Sequence, residues 1–209
     1  MKVLFILDTY LPKASANGIC VMNLVQELQK NGDKVDCLCW DNTGVKKEII
    51  ENVQITRVYA FKKFELEAKG KVYGPQYRSA KLLDRVGTIL FSFLYPNHRF
   101  FLSKRMENEA LKLMKENNYD CVISVFQTFD AFYAGYHLVK KYPSIKWILY
   151  YLDVFSGGIK PKLLSQNVFY KKTLKWEKRF LSKCDRAIIM ESYRKHYEGD
   201  DFKEFFNKI

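Results

Sequence analysis

Most of the side chains able to do chemistry in this sequence stand in short polar clusters immediately after apolar runs. Asp8, Thr9 and Tyr10 follow the first run, with Asn17-Gly18 a little further on. Gln127, Thr128 and Asp130 follow a second; Asp153, Ser156 and Gly157-Gly158 a third; Glu191, Ser192 and Tyr193 a fourth. Carboxylates, hydroxyls and an amide supply proton transfer and hydrogen bonds, and glycines let backbone N–H groups approach an anion. Asp153 ends the run Trp-Ile-Leu-Tyr-Tyr-Leu. A carboxylate there serves either as a functional group or as a cap for the backbone that follows. Asn17-Gly18 likewise reads in two ways: a loop that admits an anion at a helix mouth, or a tight strand-to-helix turn. For Gly157-Gly158 the turn is the favoured reading.

Other chemistries lack their residues. Neither a dinucleotide fingerprint nor a phosphate loop occurs. His98, His137 and His196 are too scattered for a metal site, and Cys37-x-Cys39 has no second pair to complete a zinc cage. Ser192 has no base nearby in sequence, so no catalytic triad is assembled. No metal and no cofactor are expected.

The elements that must position these clusters follow from periodicity. Short β-branched, apolar runs at residues 3–7, 35–40, 53–59, 121–125, 147–151 and 186–190 predict six strands, alternating with longer amphipathic segments. All but the third are near-continuously apolar, as in a parallel sheet covered by helices on both faces. The first helix is marked by Ile19, Met22, Leu24, Val25 and Leu28 and closed by Asn31-Gly32. Further helices are predicted over 128–141, 167–183 and 193–206. An insertion over 60–120 holds two more, at 79–94 and 103–117, separated by Pro96-Asn97. In such a sheet ligands sit beyond the carboxyl ends of the strands near the switch in strand order, which is where the polar clusters fall.

The chain has 209 residues, is 48% hydrophobic and carries 35 Lys+Arg against 23 Asp+Glu, a formal charge of +12. That composition supplies a core for one large domain and excludes a disordered chain. Five cysteines, an odd number, sit mostly in strand-like runs and point to a reducing, cytoplasmic compartment. The early apolar run is too short for an export signal, and the longest weakly polar run, 86–95, is too short to span a bilayer. Ten of the 35 basic residues lie within 61–105, Lys81, Arg85, Arg99, Lys104 and Arg105 among them, interleaved with Phe91, Phe93, Leu94, Tyr95, Phe100 and Phe101. Either this segment lies on an anionic membrane, or its aromatics are core and its charges a solvated face. Nucleic acid is not an expected partner, because no recognition module accompanies the charge.

Two stretches carry a family resemblance. LFILDTYLPKASANGICVMNLVQELQKNGDKV resembles the opening of the group-1, family-4-like glycosyltransferases of GT-B fold. KWEKRFLSKCDRAIIMES matches that family's later pattern through Glu177, Leu181, Asp185, Ile188, Ile189 and Ser192. The chain departs from the family where Asn17 replaces the first of two glycines and where Gln127-Thr128 stand in place of a histidine.

The resemblance implies a Rossmann-like, doubly wound sheet forming the acceptor-side, N-terminal domain of a retaining enzyme that needs no metal. That enzyme would transfer a sugar from a nucleotide-sugar donor to a glycan or lipid-linked acceptor, as in polysaccharide biosynthesis. Asn17 and Gly18 would then face the donor diphosphate. Asp8, Tyr10, Gln127, Thr128, Ser156 and Ser192 would line the acceptor side, with Asp153 the catalytic candidate. The C-terminal nucleotide-sugar domain is not in these 209 residues, so the isolated chain is expected to be inactive. The competing expectation is a non-catalytic module that docks on a membrane or partner, peripheral on the inner face of the membrane.

Overall fold

The computed structural model describes residues 1–12, 14–40, 43–59, 62–158 and 164–209, and their side chains except those of Thr88 and Ser92. Lys13 of the matched opening stretch, and Ala60 and Phe61 at the start of the expected insertion, lie outside the described residues.

Seven strands form one sheet: β1 (Lys2–Ile6), β2 (Lys34–Trp40), β3 (Lys47–Ile50), β4 (Val53–Val58), β5 (Cys121–Phe126), β6 (Lys146–Tyr151) and β7 (Arg186–Ile189). Their order is β3-β4-β2-β1-β5-β6-β7, with every pair parallel except β3–β4. The chain winds outward from β1 to β4, then returns to β5 and winds out the other way, so the switch point lies between β1 and β5. The six predicted strands are all present and the Rossmann-like α/β class holds. β3 is additional. It joins β4 through Glu51-Asn52, whose φ values of 51° and 63° make the twisted two-residue hairpin turn. Its sequence, Lys-Glu-Ile-Ile, buries neither face fully, so it left no apolar signature.

Alternation along the strands divides the core into two layers. Val3, Phe5 and Leu7 pack on one face with Val21 and Val25 of α1 (Ala16–Lys30), and Cys37 and Cys39 join them there. Leu4 and Ile6 face the other layer, built from α4 (Phe100–Glu116), α5 (Phe129–Lys141) and α6 (Gln166–Lys183). That second layer is strongly aromatic: Phe132 meets Tyr151 edge-on at 4.9 Å, and Phe180 meets Trp147 at 6.2 Å. Gly135 lets α5 sit directly on β5 and β6. A Cβ there would collide with Ser124 Oγ and lie 2.5 Å from Trp147 Nε1, and those two atoms are themselves hydrogen-bonded at 3.0 Å.

The insertion holds three helices among its described residues, α2 (Lys62–Ala68), α3 (Pro75–Leu90) and α4, with a 3-10 turn at Ser92–Leu94. α3 starts ahead of its predicted beginning because Pro75 occupies its first turn and Gly74, at φ 94°, makes the entry. α4 starts early as well, since Ser103 lies inside it and its hydroxyl bonds Asn97 at 2.7 Å. The single helix predicted over 193–206 is broken into a 3-10 turn at Glu191–Tyr193, α7 (Arg194–Tyr197) and a 3-10 stretch at Asp200–Phe205. Burial of Tyr197, Phe202 and Phe205 overrides helical continuity here. Lys208 returns to the end of α6, its ammonium donating to the carbonyls of Leu181 and Cys184 at 3.0 and 2.8 Å.

Candidate functional site

The carboxyl ends of β5 and β6 open into a cleft of about 490 Å³. Gln127 to Asp130 line one wall, Asp153 to Phe155 with Gly157-Gly158 another, and Tyr95, Pro96, His98 and Arg99 with Tyr193 close the rim. A parallel sheet places these residues together because every strand but β3 delivers its last residue to the same edge.

At the switch point Asp8 is nearly buried at the end of β1, its backbone carbonyl accepting from Trp40 N–H at 2.7 Å. The Gln127 side-chain amide packs against the Asp8 carboxylate and lies 3.1 Å from the Asn17 amide, so β1, the α1 entry and β5 meet there. Ser15 caps α1 by accepting from Gly18 N–H at 3.1 Å. A Cβ on Gly18 would stand 2.5 Å from the Thr9 carbonyl and 2.9 Å from Ala14 Cβ. Close packing of the helix on its own loop therefore requires glycine at this position.

Asp130 lies in the first turn of α5, 2% exposed. One of its carboxylate oxygens accepts from Thr128 Oγ1 at 2.9 Å and from Trp40 Nε1 at 3.0 Å. Burial pushes the Asp130 carboxyl above the usual carboxylate range, and Arg99 and these donors pull it back. Arg99 itself stacks its guanidinium on the Trp40 ring at 4.9 Å. Beside it, His98 lies flat on Tyr95 at 5.5 Å, and burial holds its imidazole below the ordinary histidine range, neutral at pH 7.

Asp153 is exposed in the cleft wall and accepts a 2.9 Å hydrogen bond from the Tyr193 hydroxyl. Its loop is anchored from behind by Glu177, which is fully buried on α6. Glu177 accepts from Ser156 N–H at 3.1 Å and from Tyr197 OH at 2.8 Å. Burial lifts its carboxyl to about 7, with the two partners opposing. Ser156 Oγ lies 3.2 Å from His196 Nε2, but Ser156 has no exposed surface. Gly157 and Gly158 form a turn so tight that a Cβ on either would come within 2.8 Å of Val154.

The structure thus gathers Asp8, Gln127, Thr128, Asp130 and Asp153 at one edge and places other expected residues elsewhere. Tyr10 is buried in the α1-side core and does not line the cleft; burial raises its phenol well above the ordinary range. Ser156 is a loop anchor beneath the cleft, and Ser192 is exposed on the 3-10 turn outside the cleft lining. Of the basic residues expected on an anionic surface, Arg99 instead lines the cleft. Lys104 pairs with Glu107 at 2.7 Å and Arg105 donates to the Tyr59 carbonyl, whereas Lys81 and Arg85 are exposed on α3.

Trp40 and the cleft role of Arg99 are not legible in the sequence, since both are brought to Asp130 from far along the chain. Glu177 had a legible signal: it continues the buried stripe Phe169, Thr173, Glu177, Phe180, where an acid needs dedicated partners. Among the described residues no group of three or more His, Cys, Asp or Glu is placed to hold a metal ion.

No protein-family model matches the sequence, and no curated protein does. Among solved structures, sucrose-phosphate synthase from Thermosynechococcus elongatus superposes with a TM-score of 0.57 at 15% identity. The match covers 94% of this chain and 44% of that one, so the chain spans less than half of the synthase's length. At that identity the likeness establishes a shared fold.

Proposed function

We propose that these residues form the acceptor-side domain of a retaining glycosyltransferase that moves a sugar from a nucleotide-sugar donor to a glycan or lipid-linked acceptor. The observation that carries this reading is the cleft at the carboxyl ends of β5 and β6, where carboxylates, an amide and a guanidinium converge on about 490 Å³ of open space. The likeness to a synthase that spans more than twice this length supports it, because a second domain would supply the donor's nucleotide site. That leaves this chain to hold the acceptor and inactive alone.

The side chains divide by chemistry. Asp153, exposed and oriented by Tyr193, accepts a hydrogen bond from an acceptor hydroxyl. Arg99, held over the Trp40 ring, offers its planar donors to a phosphate or carboxylate on the acceptor or donor. Asp130 offsets that charge and fixes Trp40. Asn17 and the first turn of α1 face the donor diphosphate, where the helix dipole favours negative charge. Fixed donors in a closing cleft stabilise the departing diphosphate, and no metal is required. A cytoplasmic setting fits the burial of four of the five cysteines.

Ligand-observed NMR on the chain, with neutral and phosphorylated oligosaccharides, tests the reading. Saturation transfer to a glycan is expected, weakened at least tenfold by Asp153→Ala and, for phosphorylated ligands, by Arg99→Ala, about 1.4 kcal/mol or more each. Absence of glycan binding, or binding indifferent to both changes, refutes it. The chain alone should neither hydrolyse nor transfer from any nucleotide sugar.

A further inference from the structure

The orientation of α3 inverts the usual rule for a surface helix. Its polar side faces the protein: Tyr77 donates to Glu67 at 2.7 Å, Asp84 pairs with Lys63 at 2.9 Å, and Ala80 between them is buried on α2. Its apolar side faces outward. Leu82, Val86 and Ile89, with Leu83 and Leu90 beside them, are 62%, 44%, 64%, 68% and 60% exposed. At 100° per residue these five span one continuous stripe of about a third of the helix circumference. Phe93, 66% exposed, continues it past the helix end. A contiguous apolar surface of this kind is uncommon on a monomeric protein and marks an interaction site.

Charge selects the occupant. Arg78, Lys81 and Arg85, all exposed, run along one flank of the stripe, and the acid in this part of the helix, Asp84, is turned inward onto Lys63. Basic α6 adjoins the far end, where Lys172 donates to the Phe93 carbonyl at 2.7 Å and Lys171 and Lys175 are exposed. A second copy pairing through this helix by two-fold symmetry would present the same basic flank to itself. Apolar side chains rimmed by cations instead match a bilayer interface with anionic headgroups. We infer that α3 lies in the surface of an anionic phospholipid membrane, its Leu82–Leu90 stripe among the acyl chains and Arg78, Lys81 and Arg85 at the headgroups.

The inference stands apart from glycosyl transfer, and its test does not use the cleft. The chain is mixed with vesicles of phosphatidylcholine, with and without phosphatidylglycerol, and bound protein is separated by flotation. Binding is expected to the anionic vesicles and to fall with added salt. Leu82→Gln with Leu83→Gln should weaken it roughly a hundredfold, about tenfold for each exposed leucine. Arg78→Gln, Lys81→Gln and Arg85→Gln together should cost about fivefold per charge. Because these side chains are exposed, thermal melts of the variants should match the parent. As a direct reading, Val86→Trp should show blue-shifted emission that brominated lipids quench. Three results overturn the inference: no vesicle binding, equal binding to neutral and anionic vesicles, or a dimer in solution that Leu82→Gln separates.

Discussion

Glu177 gives the sharpest quantitative test of how the Asp153 loop is held. It is fully buried, receives Ser156 N–H and Tyr197 OH, and has no cation among the causes of its shift. Its carboxyl rises from 4.5 to about 7 in the folded protein. The folded state thus binds this proton more tightly than the unfolded chain does. The stabilisation is complete below about pH 4.5, shrinks as the unfolded carboxyl ionises, and is gone once the folded group ionises above about pH 7. At about 1.4 kcal/mol per pH unit across that interval, roughly 3 kcal/mol is at stake. Glu177→Gln retains the volume and one acceptor but removes the titration. Urea unfolding of both proteins from pH 4.5 to 8 measures it, and their difference cancels the opposing titration of the histidines common to both. The parent should lose about 3 kcal/mol relative to Glu177→Gln between the ends of that range. A stability difference that stays flat with pH would show that Glu177 is ionised, and the loop anchored, in some other way.

Other expectations follow from close approaches. Gly135→Ala should cost about 1–3 kcal/mol in chemical denaturation, because the new methyl meets Ser124 Oγ and the Trp147 indole in a packed layer. Gly18→Val should destabilise by at least as much, since the obstacle is the Thr9 backbone carbonyl; an unchanged melting temperature would remove the packing role assigned to Gly18. Asp130→Ala leaves the Trp40 indole N–H and Thr128 hydroxyl without their carboxylate, at a cost of about 1–3 kcal/mol. The same change should redden Trp40 emission, and an unaltered spectrum would mean that the indole is held without Asp130.

Periodicity determined the sheet. Runs such as Val3 to Leu7 and Cys121 to Phe126 are apolar without alternation because helices cover both faces, and a strand of that kind announces itself. The edge strand Lys47–Ile50 did not, since it needs no buried face, and the broken terminal helix did not, since Tyr197, Phe202 and Phe205 reach the core only by interrupting it. The site divided along the same line. Asp8, Gln127, Thr128, Asp130 and Asp153 were readable because each follows the end of a strand, and a parallel sheet sends those ends to one edge. Trp40 and Arg99 were not, because they are brought to Asp130 from 90 and 31 residues away by strand order and by the insertion's path. The sequence alone fixed which residues sit at strand ends and that basic and apolar residues share one insertion. Only tertiary structure decided that Tyr10 and Ser156 turn inward, that Arg99 serves the cleft, and that α3 shows its apolar side to the outside. Periodicity specifies the faces of an element, but which face meets solvent depends on the neighbours packed against it.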